Sequence, residues 1–264
     1  MQWREESLPG RGVQLHVRRV VDPPAPPVLL LHGLGVGGLV FQAFARRLLP
    51  HLAAVAPDLR GHGQSDAPAA GYAPSDYASD LAELIQAGLN PPVPVVGNSL
   101  GALVALELAD LRPDLVTWLV LLDPPLDREL RNPEIESVSR LRHAPPGELE
   151  AYLLERNPGG GKLLAESLAR LFRQASDAAF EAMLGATRPD PPVVSQPTLL
   201  IQADPQRGGV LGDAAAHAFV ERLPRGKLVK ITGGSHAVHA SHPAEVARAI
   251  LDFAGYSSEP VSSR

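Results

Sequence analysis

A serine between two glycines is the residue of this chain best suited to chemistry. Residues 97 to 101 read Gly-Asn-Ser-Leu-Gly, after the apolar run 93–96 and before the apolar run 102–106. A G-x-S-x-G pattern between a buried strand and a helix places its serine on a strained turn, with the hydroxyl exposed above the sheet. Gly97 and Gly101 fit such a turn, because a Cβ at either position would strike the opposing strand or helix. We therefore interpret Ser99 as a candidate nucleophile.

The elements that must position this serine alternate between strands and helices. Residues 11–20 alternate apolar with polar side chains, which predicts a half-exposed strand paired with residues 2–8 through a turn at Pro9-Gly10. Later strands are continuous apolar runs, typical of parallel strands covered on both faces, at 28–31, 53–56, 93–96, 118–122 and 199–201, and a further strand is expected at 227–231. Helical patterns lie between them, at 39–49, 75–88, 99–110, 213–222 and 243–254. The alternation predicts an α/β fold with a doubly wound, mostly parallel, eight-stranded sheet flanked by helices.

The alternation stops after Asp123. Residues 126–190 contain no convincing strand but have amphipathic helical stretches, at 148–156, 162–175 and 177–186. Four prolines between 189 and 197 then lead back to the next apolar run. We therefore expect a core of residues 1–125 and 191–264, with residues 126–190 inserted as a helical cap.

Composition excludes several classes of function. A net charge of −5 over 264 residues suggests neither a nucleic-acid partner nor an anionic membrane surface. The absence of cysteine excludes disulfides and thiolate metal sites, and we expect no metal and no cofactor. The glycine-rich stretch 33–38 lacks the Lys-Ser/Thr of a phosphate-binding loop.

The charged N-terminus is unlike a signal peptide, and no apolar run approaches the ~20 residues of a membrane helix. We expect a cytoplasmic protein without a membrane partner.

Four segments, in this chain order, resemble the α/β-hydrolase fold family, and the resemblance spans almost the whole core. They are Leu29 to Gly35 with its His-Gly-Leu-Gly loop, Asp58 to Asp66 with the pattern D-x-R-G-x-G-x-S, Gly97 to Gly101, and Gly234-Ser235-His236. The order serine, acid, histidine matches that of the family. The overall pattern is similar to small carboxylesterases, to enol-lactone hydrolases and to hydrolases that cleave carbon–carbon bonds.

The resemblance implies which histidine activates the serine. A serine hydroxyl is a weak nucleophile, so it needs a base within hydrogen-bond reach. The family places that base at His236, in the loop after the strand 227–231. His239 and His242 are competitors. His242 precedes a proline and is better explained as the start of a helix.

The acid partner of the histidine is ambiguous. The family usually places it shortly after the strand at 198–202, which here favours Asp204, although no glycine precedes it in this loop. Some members carry the acid after the previous strand, which makes Asp123 the alternative. Asp213 is a more distant candidate and is better explained as opening the next helix.

The resemblance also implies an oxyanion hole. The backbone N–H of Leu100, directly after the nucleophile, and that of Leu34, directly after His32-Gly33, would meet the negative oxygen of a tetrahedral intermediate. We expect His32 to brace this loop by hydrogen bonding.

These residues together imply a serine hydrolase that acts on a small apolar ester, thioester or lactone through an acyl-enzyme on Ser99. Hydrolysis of carbon–carbon bonds in ring-fission products, cofactor-free haloperoxidase activity and acyl transfer would use the same triad and stay open as alternatives. The cap would select the substrate, and its many leucines favour an apolar one.

Overall fold

The computed structural model describes residues 1–21, 25–126, 133–156, 161–185 and 190–256. Residues 127–132, 157–160 and 186–189 of the expected cap lie outside this description. In chain order the strands are β1 Trp3–Gly10, β2 Val13–Val20, β3 Pro27–Leu31, β4 Ala53–Pro57, β5 Val93–Asn98, β6 Val116–Leu122, β7 Thr198–Gln202 and β8 Gly226–Lys230. The helices are α1 Gln42–Ala45, α2 Pro74–Gly88, α3 Leu100–Leu111, α4 Pro133–Leu141, α5 Glu148–Arg156, α6 Gly161–Gln174, α7 Asp177–Gly185, α8 Asp213–Arg222, α9 Val238–Ser241 and α10 Pro243–Phe253.

The strands form one sheet in the order β1-β2-β4-β3-β5-β6-β7-β8. Strand β2 runs antiparallel to both of its neighbours, and all other pairs are parallel. The predicted α/β fold with a mostly parallel, eight-stranded sheet is confirmed.

The predicted turn at Pro9-Gly10 is wrong, since both residues pair with β2. The chain turns at Arg11-Gly12 instead, where Gly12 has a φ of +75° that favours glycine.

Alternate residues of the central strands enter two separate apolar cores, one on each face of the sheet. Leu29 and Leu31 of β3 pack with side chains of α2, α3 and α8, whereas Val28 and Leu30 pack with those of α1, α9 and α10. Coverage on both faces explains why these strands are continuous apolar runs in the sequence. Each buried aliphatic side chain contributes about 1.5–3 kcal/mol. The parallel pairing of β5, β6 and β7 places the loops after these strands at one edge of the sheet.

Four helices, α4 to α7, lie between β6 and β7 in the chain, and we call them the cap helices. The helix α4 was not among the helical stretches predicted from the sequence, whereas α5, α6 and α7 agree with those predictions to within one residue. Buried Arg142 ties these helices together: its Nε donates to the carbonyl of Phe172 at 2.8 Å, and its Nη1 donates to Asp177 at 2.9 Å. Its guanidinium also lies 4.3 Å from the ring centre of Phe180.

None of the helices within the described ranges combines the length and the apolar character that a membrane span requires.

Candidate active site

Ser99 stands on a sharp turn between β5 and α3. Its φ is +54° and its ψ is −116°, a conformation that costs a non-glycine residue about 1–3 kcal/mol. The turn is held by the backbone N–H of Ser99, which donates to the carbonyl of Leu122 at 3.0 Å. A Cβ on Gly97 would overlap the backbone of Gly101, and one on Gly101 would overlap the carbonyl of Leu31. The two glycines are therefore required by close backbone approach, as their spacing predicts.

The loop after β8 brings His236 against a carboxylate, and that carboxylate is Asp123. The Nδ1 atom of His236 lies 2.7 Å from Oδ2 of Asp123, across 113 positions of sequence. Asp123 is fully buried and has a φ of +44°, so a second strained residue stands at this edge of the sheet. Its carboxylate also accepts hydrogen bonds from the backbone N–H groups of Ala203 at 3.2 Å and Val210 at 2.8 Å. Because a carboxylate only accepts, Nδ1 of His236 carries the proton, and Nε2 is left as the basic nitrogen.

Asp204, the acid favoured by the sequence, has other partners. Its Oδ1 accepts from the backbone N–H of Gln206, and its Oδ2 accepts from that of Gly233, each at 2.9 Å. These two bonds lower the pKa of Asp204, so the side chain is a carboxylate that organises backbone. The geometry thus brings the alternative acid Asp123 to the histidine in place of Asp204. The physical reason is that Asp204 begins a short 3-10 turn, Pro205–Arg207, and its side chain caps that turn.

Asp213, the third candidate acid, is the first residue of α8. It accepts from Gln202 at 2.7 Å and from Lys230 at 2.6 Å. Its partners are therefore an amide and a lysine rather than the histidine.

The two competing histidines have different surroundings. His239 is buried, with its ring centre 4.6 Å from that of Phe41 and 6.1 Å from that of Phe44. Burial, together with repulsion from His236, lowers the pKa of His239 to about 3, so its ring is neutral near pH 7. His242 caps the start of α10 and has its Nδ1 3.1 Å from the hydroxyl of Ser241. This agrees with the expected position of His242 at a helix start.

Asn98, next to the serine, links two parts of the site. Its Nδ2 donates to the carbonyl of Leu122 at 3.0 Å and to the carbonyl of His236 at 3.1 Å. One buried amide thereby joins the serine turn to the end of β6 and to the histidine loop. Sequence reasoning did not assign Asn98 this role, although its place beside Ser99 was the signal.

The loop after β3 lies beside the serine. A Cβ on Gly33 would lie 3.4 Å from the Cβ of Ser99, and Leu34 is the next residue of this loop. The backbone N–H groups of Leu34 and Leu100 take part in none of the turn, loop or cap hydrogen bonds of the described residues. The backbone donors expected at an oxyanion hole are thus not engaged in those bonds.

His32 holds this loop in place. Its Nδ1 lies 2.7 Å from the carbonyl of Gly33, and its Nε2 accepts from the backbone N–H of Leu59 at 2.9 Å. Burial lowers the pKa of His32. A neutral imidazole with both nitrogens engaged is a brace for the loop, as expected from the sequence.

Ser99 and His236 share the wall of one cavity, with a volume of about 310 Å³. The cap helices cover it with apolar side chains, namely those of Ile135, Val138, Leu153, Leu164, Leu168, Phe172 and Phe180. Arg207 and His239 also line it, and no pattern in the sequence indicated Arg207. Within the described ranges, no cluster of three or more His, Cys, Asp or Glu side chains could hold a metal ion. The arrangement is suited to chemistry by side chains on an apolar substrate.

Comparisons with known proteins agree with the fold. A family model described as the alpha/beta hydrolase family matches residues 28–249. The curated 2-(acetamidomethylene)succinate hydrolase of Mesorhizobium japonicum is 32% identical over 253 residues, which covers 86% of this chain and 87% of that protein. A pimeloyl-[acyl-carrier protein] methyl ester esterase of Xanthomonas oryzae pv. oryzae is 27% identical over 246 residues, covering 86% and 94%. Among solved structures, a thermophilic esterase from Thermogutta terrifontis superposes with a TM-score of 0.78 at 23% identity, covering 96% of this chain and 98% of that one.

Proposed function

The chain belongs to the alpha/beta hydrolase family, and within it we propose a serine hydrolase that cleaves a carboxylic ester through an acyl-enzyme on Ser99. The observation that carries the proposal is the 2.7 Å pair of His236 Nδ1 and Asp123 Oδ2, in a histidine that shares a cavity wall with Ser99. Esterases among the relatives support an ester as the bond that is cleaved.

In the proposed first half-reaction, Nε2 of His236 accepts the hydroxyl proton of Ser99 while Oγ attacks the ester carbonyl. Asp123 stays ionised and stabilises the imidazolium that forms. Its two hydrogen bonds from backbone N–H groups support this state, since they stabilise a carboxylate and fix its orientation. His236 then returns the proton to the leaving alkoxide, and the alcohol departs.

In the second half-reaction, water attacks the acyl-enzyme with His236 again as the base, and the carboxylic acid leaves. The backbone N–H groups of Leu34 and Leu100 are proposed to stabilise the oxyanion in both steps. Removing one such donor costs about 10²–10³ in rate in enzymes of this kind. Asn98 is proposed to hold the serine turn and the histidine loop at a fixed separation through both steps.

The cavity supports a small ester that places an apolar part against the cap helices. Its volume of about 310 Å³ is at the lower end of the range for ligand sites, and its cap-helix wall is made of aliphatic and phenyl side chains. We propose that the core of residues 1–125 and 191–264 carries catalysis at the edge of the sheet, and that the cap of residues 126–190 selects the substrate.

The test is turnover of p-nitrophenyl acetate and p-nitrophenyl butyrate by the purified protein. We expect Ser99→Ala to abolish turnover, and Ser75→Ala, at an exposed position of α2 that does not line the cavity, to serve as a matched serine control that retains it. Mass spectrometry of the wild-type protein during turnover should find the acyl group on the peptide that contains Ser99. Undiminished turnover by Ser99→Ala would remove Ser99 as nucleophile.

A further inference from the structure

We propose that Arg207 binds a carboxylate of the substrate, so that the protein prefers esters that carry a second, free carboxylate over neutral esters of the same shape. The inference rests on the proposed function, because it names the substrate class of the same site. Arg207, which is not part of the proposed triad, would then determine the specificity of the enzyme.

The first observation that supports the proposal is the distribution of charged side chains around the cavity. Among the described residues that line it, Arg207 has the only permanently charged side chain, and no aspartate or glutamate is among them. His239 on the same wall is neutral near pH 7. Asp123 is fully buried and bonded to His236, so its charge is not presented to the cavity. Among the described lining residues the one permanent charge is therefore positive, which favours contact with an anion.

The guanidinium of Arg207 is free to bind such an anion. Arg207 is exposed, and among the described residues no carboxylate forms a direct ion pair with it, although Asp204 is close enough to interact with it electrostatically. Asp204, a nearby acid, has one oxygen bonded to the backbone of Gln206 and the other to that of Gly233. Guanidinium groups present a planar set of N–H donors that matches a carboxylate with two parallel hydrogen bonds.

The loop that carries Arg207 is fixed to the acid of the site at both ends. The backbone N–H of Ala203 donates to one oxygen of Asp123, and that of Val210 donates to the other. Inside the loop, the backbone N–H groups of Arg207 and Gly209 both donate to the carbonyl of Asp204, at 2.8 and 3.0 Å. The base of the arginine side chain is therefore positioned by the same carboxylate that positions His236.

The loop is also tied to the histidine loop. The backbone N–H of Asp204 donates to the carbonyl of Gly234 at 2.9 Å, and the side chain of Asp204 accepts from Gly233. The separation between the reacting centre and the backbone of Arg207 is thus set by short hydrogen bonds within folded loops. A site of fixed length predicts an optimum distance between the ester and the free carboxylate.

The experiment compares methyl half-esters of straight-chain C4 to C7 dicarboxylic acids with the corresponding methyl ester amides, which have the same shape without the charge. Release of methanol gives kcat/KM for each pair with the wild-type protein, Arg207→Gln and Arg248→Gln. Arg248 is an exposed arginine of α10 that does not line the cavity, so its variant is the matched control. We expect the wild type and Arg248→Gln to prefer the acid at least about tenfold at one chain length, mainly through KM. Arg207→Gln should reduce this ratio to near one, and Arg207→Lys should retain part of it.

A second measurement separates this inference from the proposed function. Binding of the free C6 dicarboxylate to Ser99→Ala, measured by calorimetry, should weaken at least about tenfold when Arg207→Gln is added and should weaken with added salt. An acid-to-amide ratio near one in the wild type, or a preference that survives in Arg207→Gln, would overturn the role of Arg207 while ester hydrolysis stands. Loss of binding in Arg207→Gln without any Ser99-dependent hydrolysis would support the carboxylate site and overturn the proposed function instead.

Discussion

His236 meets Asp123 at 2.7 Å, and the same carboxylate accepts hydrogen bonds from the backbone of the loop after β7. Asp123 thus has two tasks: it orients the imidazole and it anchors the loop that carries Arg207. Asp204, on that loop, orients the backbone of the histidine loop through Gly233. The two carboxylates at neighbouring strand ends therefore have different roles. Asp123 contacts the imidazole, and Asp204 accepts only from main-chain N–H groups.

The first prediction separates these two carboxylates. We expect Asp123→Asn to lower kcat by about 10³–10⁴, because an amide in place of the carboxylate favours the wrong tautomer of His236 and leaves the imidazolium without its counter-charge. Asp204→Asn should lower kcat less than tenfold, since the amide oxygen can still accept one of the two backbone bonds and the side chain does not contact His236. Steady-state kinetics on p-nitrophenyl butyrate measures both. The reverse ranking would make Asp204 the acid of the site.

The second prediction concerns Asn98. Asn98→Ala removes two hydrogen bonds and leaves the carbonyls of Leu122 and His236 without this donor, so we expect a loss of about 2 kcal/mol in the free energy of unfolding. We also expect kcat to fall about 10- to 100-fold with little change in KM, because the histidine loop loses its link to the serine turn. Denaturant unfolding and steady-state kinetics measure the two effects. Asn90→Ala, at an exposed position, is the control, and a kcat within twofold of wild type in Asn98→Ala would rule out the positioning role.

The third prediction is an acid sensitivity that originates at His239. Burial lowers its pKa in the folded protein to about 3, below the value of 6.5 taken for an unperturbed histidine. Between pH 6.5 and pH 3 the unfolded chain therefore binds a proton on this residue that the folded protein does not bind. The contribution of His239 to the free energy of unfolding is therefore fully present above pH 6.5 and is lost as the pH falls. The slope from this residue is at most about 1.4 kcal/mol per pH unit.

His239→Phe removes this contribution, and the apolar contacts with Phe41 and Phe44 suit a phenyl ring. Urea unfolding from pH 8 to pH 4 should give a shallower decrease in the free energy of unfolding for the variant than for the wild type. The difference at pH 8, where the histidine is neutral in both states, reports packing alone and serves as the internal control. Parallel curves for the two proteins would show that His239 is not a source of acid sensitivity. His62, whose pKa is also lowered to about 3 by burial, remains in both proteins.

Local sequence determined the scaffold and the turn under Ser99. Continuous apolar runs predicted the buried parallel strands, because a strand covered on both faces has no exposed side for polar residues. The two glycines around Ser99 predicted its turn, because backbone atoms occupy the space that a Cβ would need. The resemblance to a known family then indicated His236 and the backbone donors at Leu34 and Leu100. The turn between β1 and β2 was misplaced by two residues, since Pro9-Gly10 and Arg11-Gly12 both resemble turns and only strand register distinguishes them.

Tertiary structure alone decided which aspartate faces the histidine. Asp123 and Asp204 both follow parallel strands that are neighbours in the sheet, so strand order places both at the same edge. The choice depends on the direction of each side chain, which the φ of +44° at Asp123 and the capping bonds of Asp204 determine. The link through Asn98 depends on contacts between residues that are 24 and 138 positions apart in the sequence. The place of Arg207 on the cavity wall also depends on contacts between loops that are distant in the sequence. Sequence patterns record which side chains a strand or helix buries, whereas the contacts between loops at a sheet edge arise only when the strands are assembled.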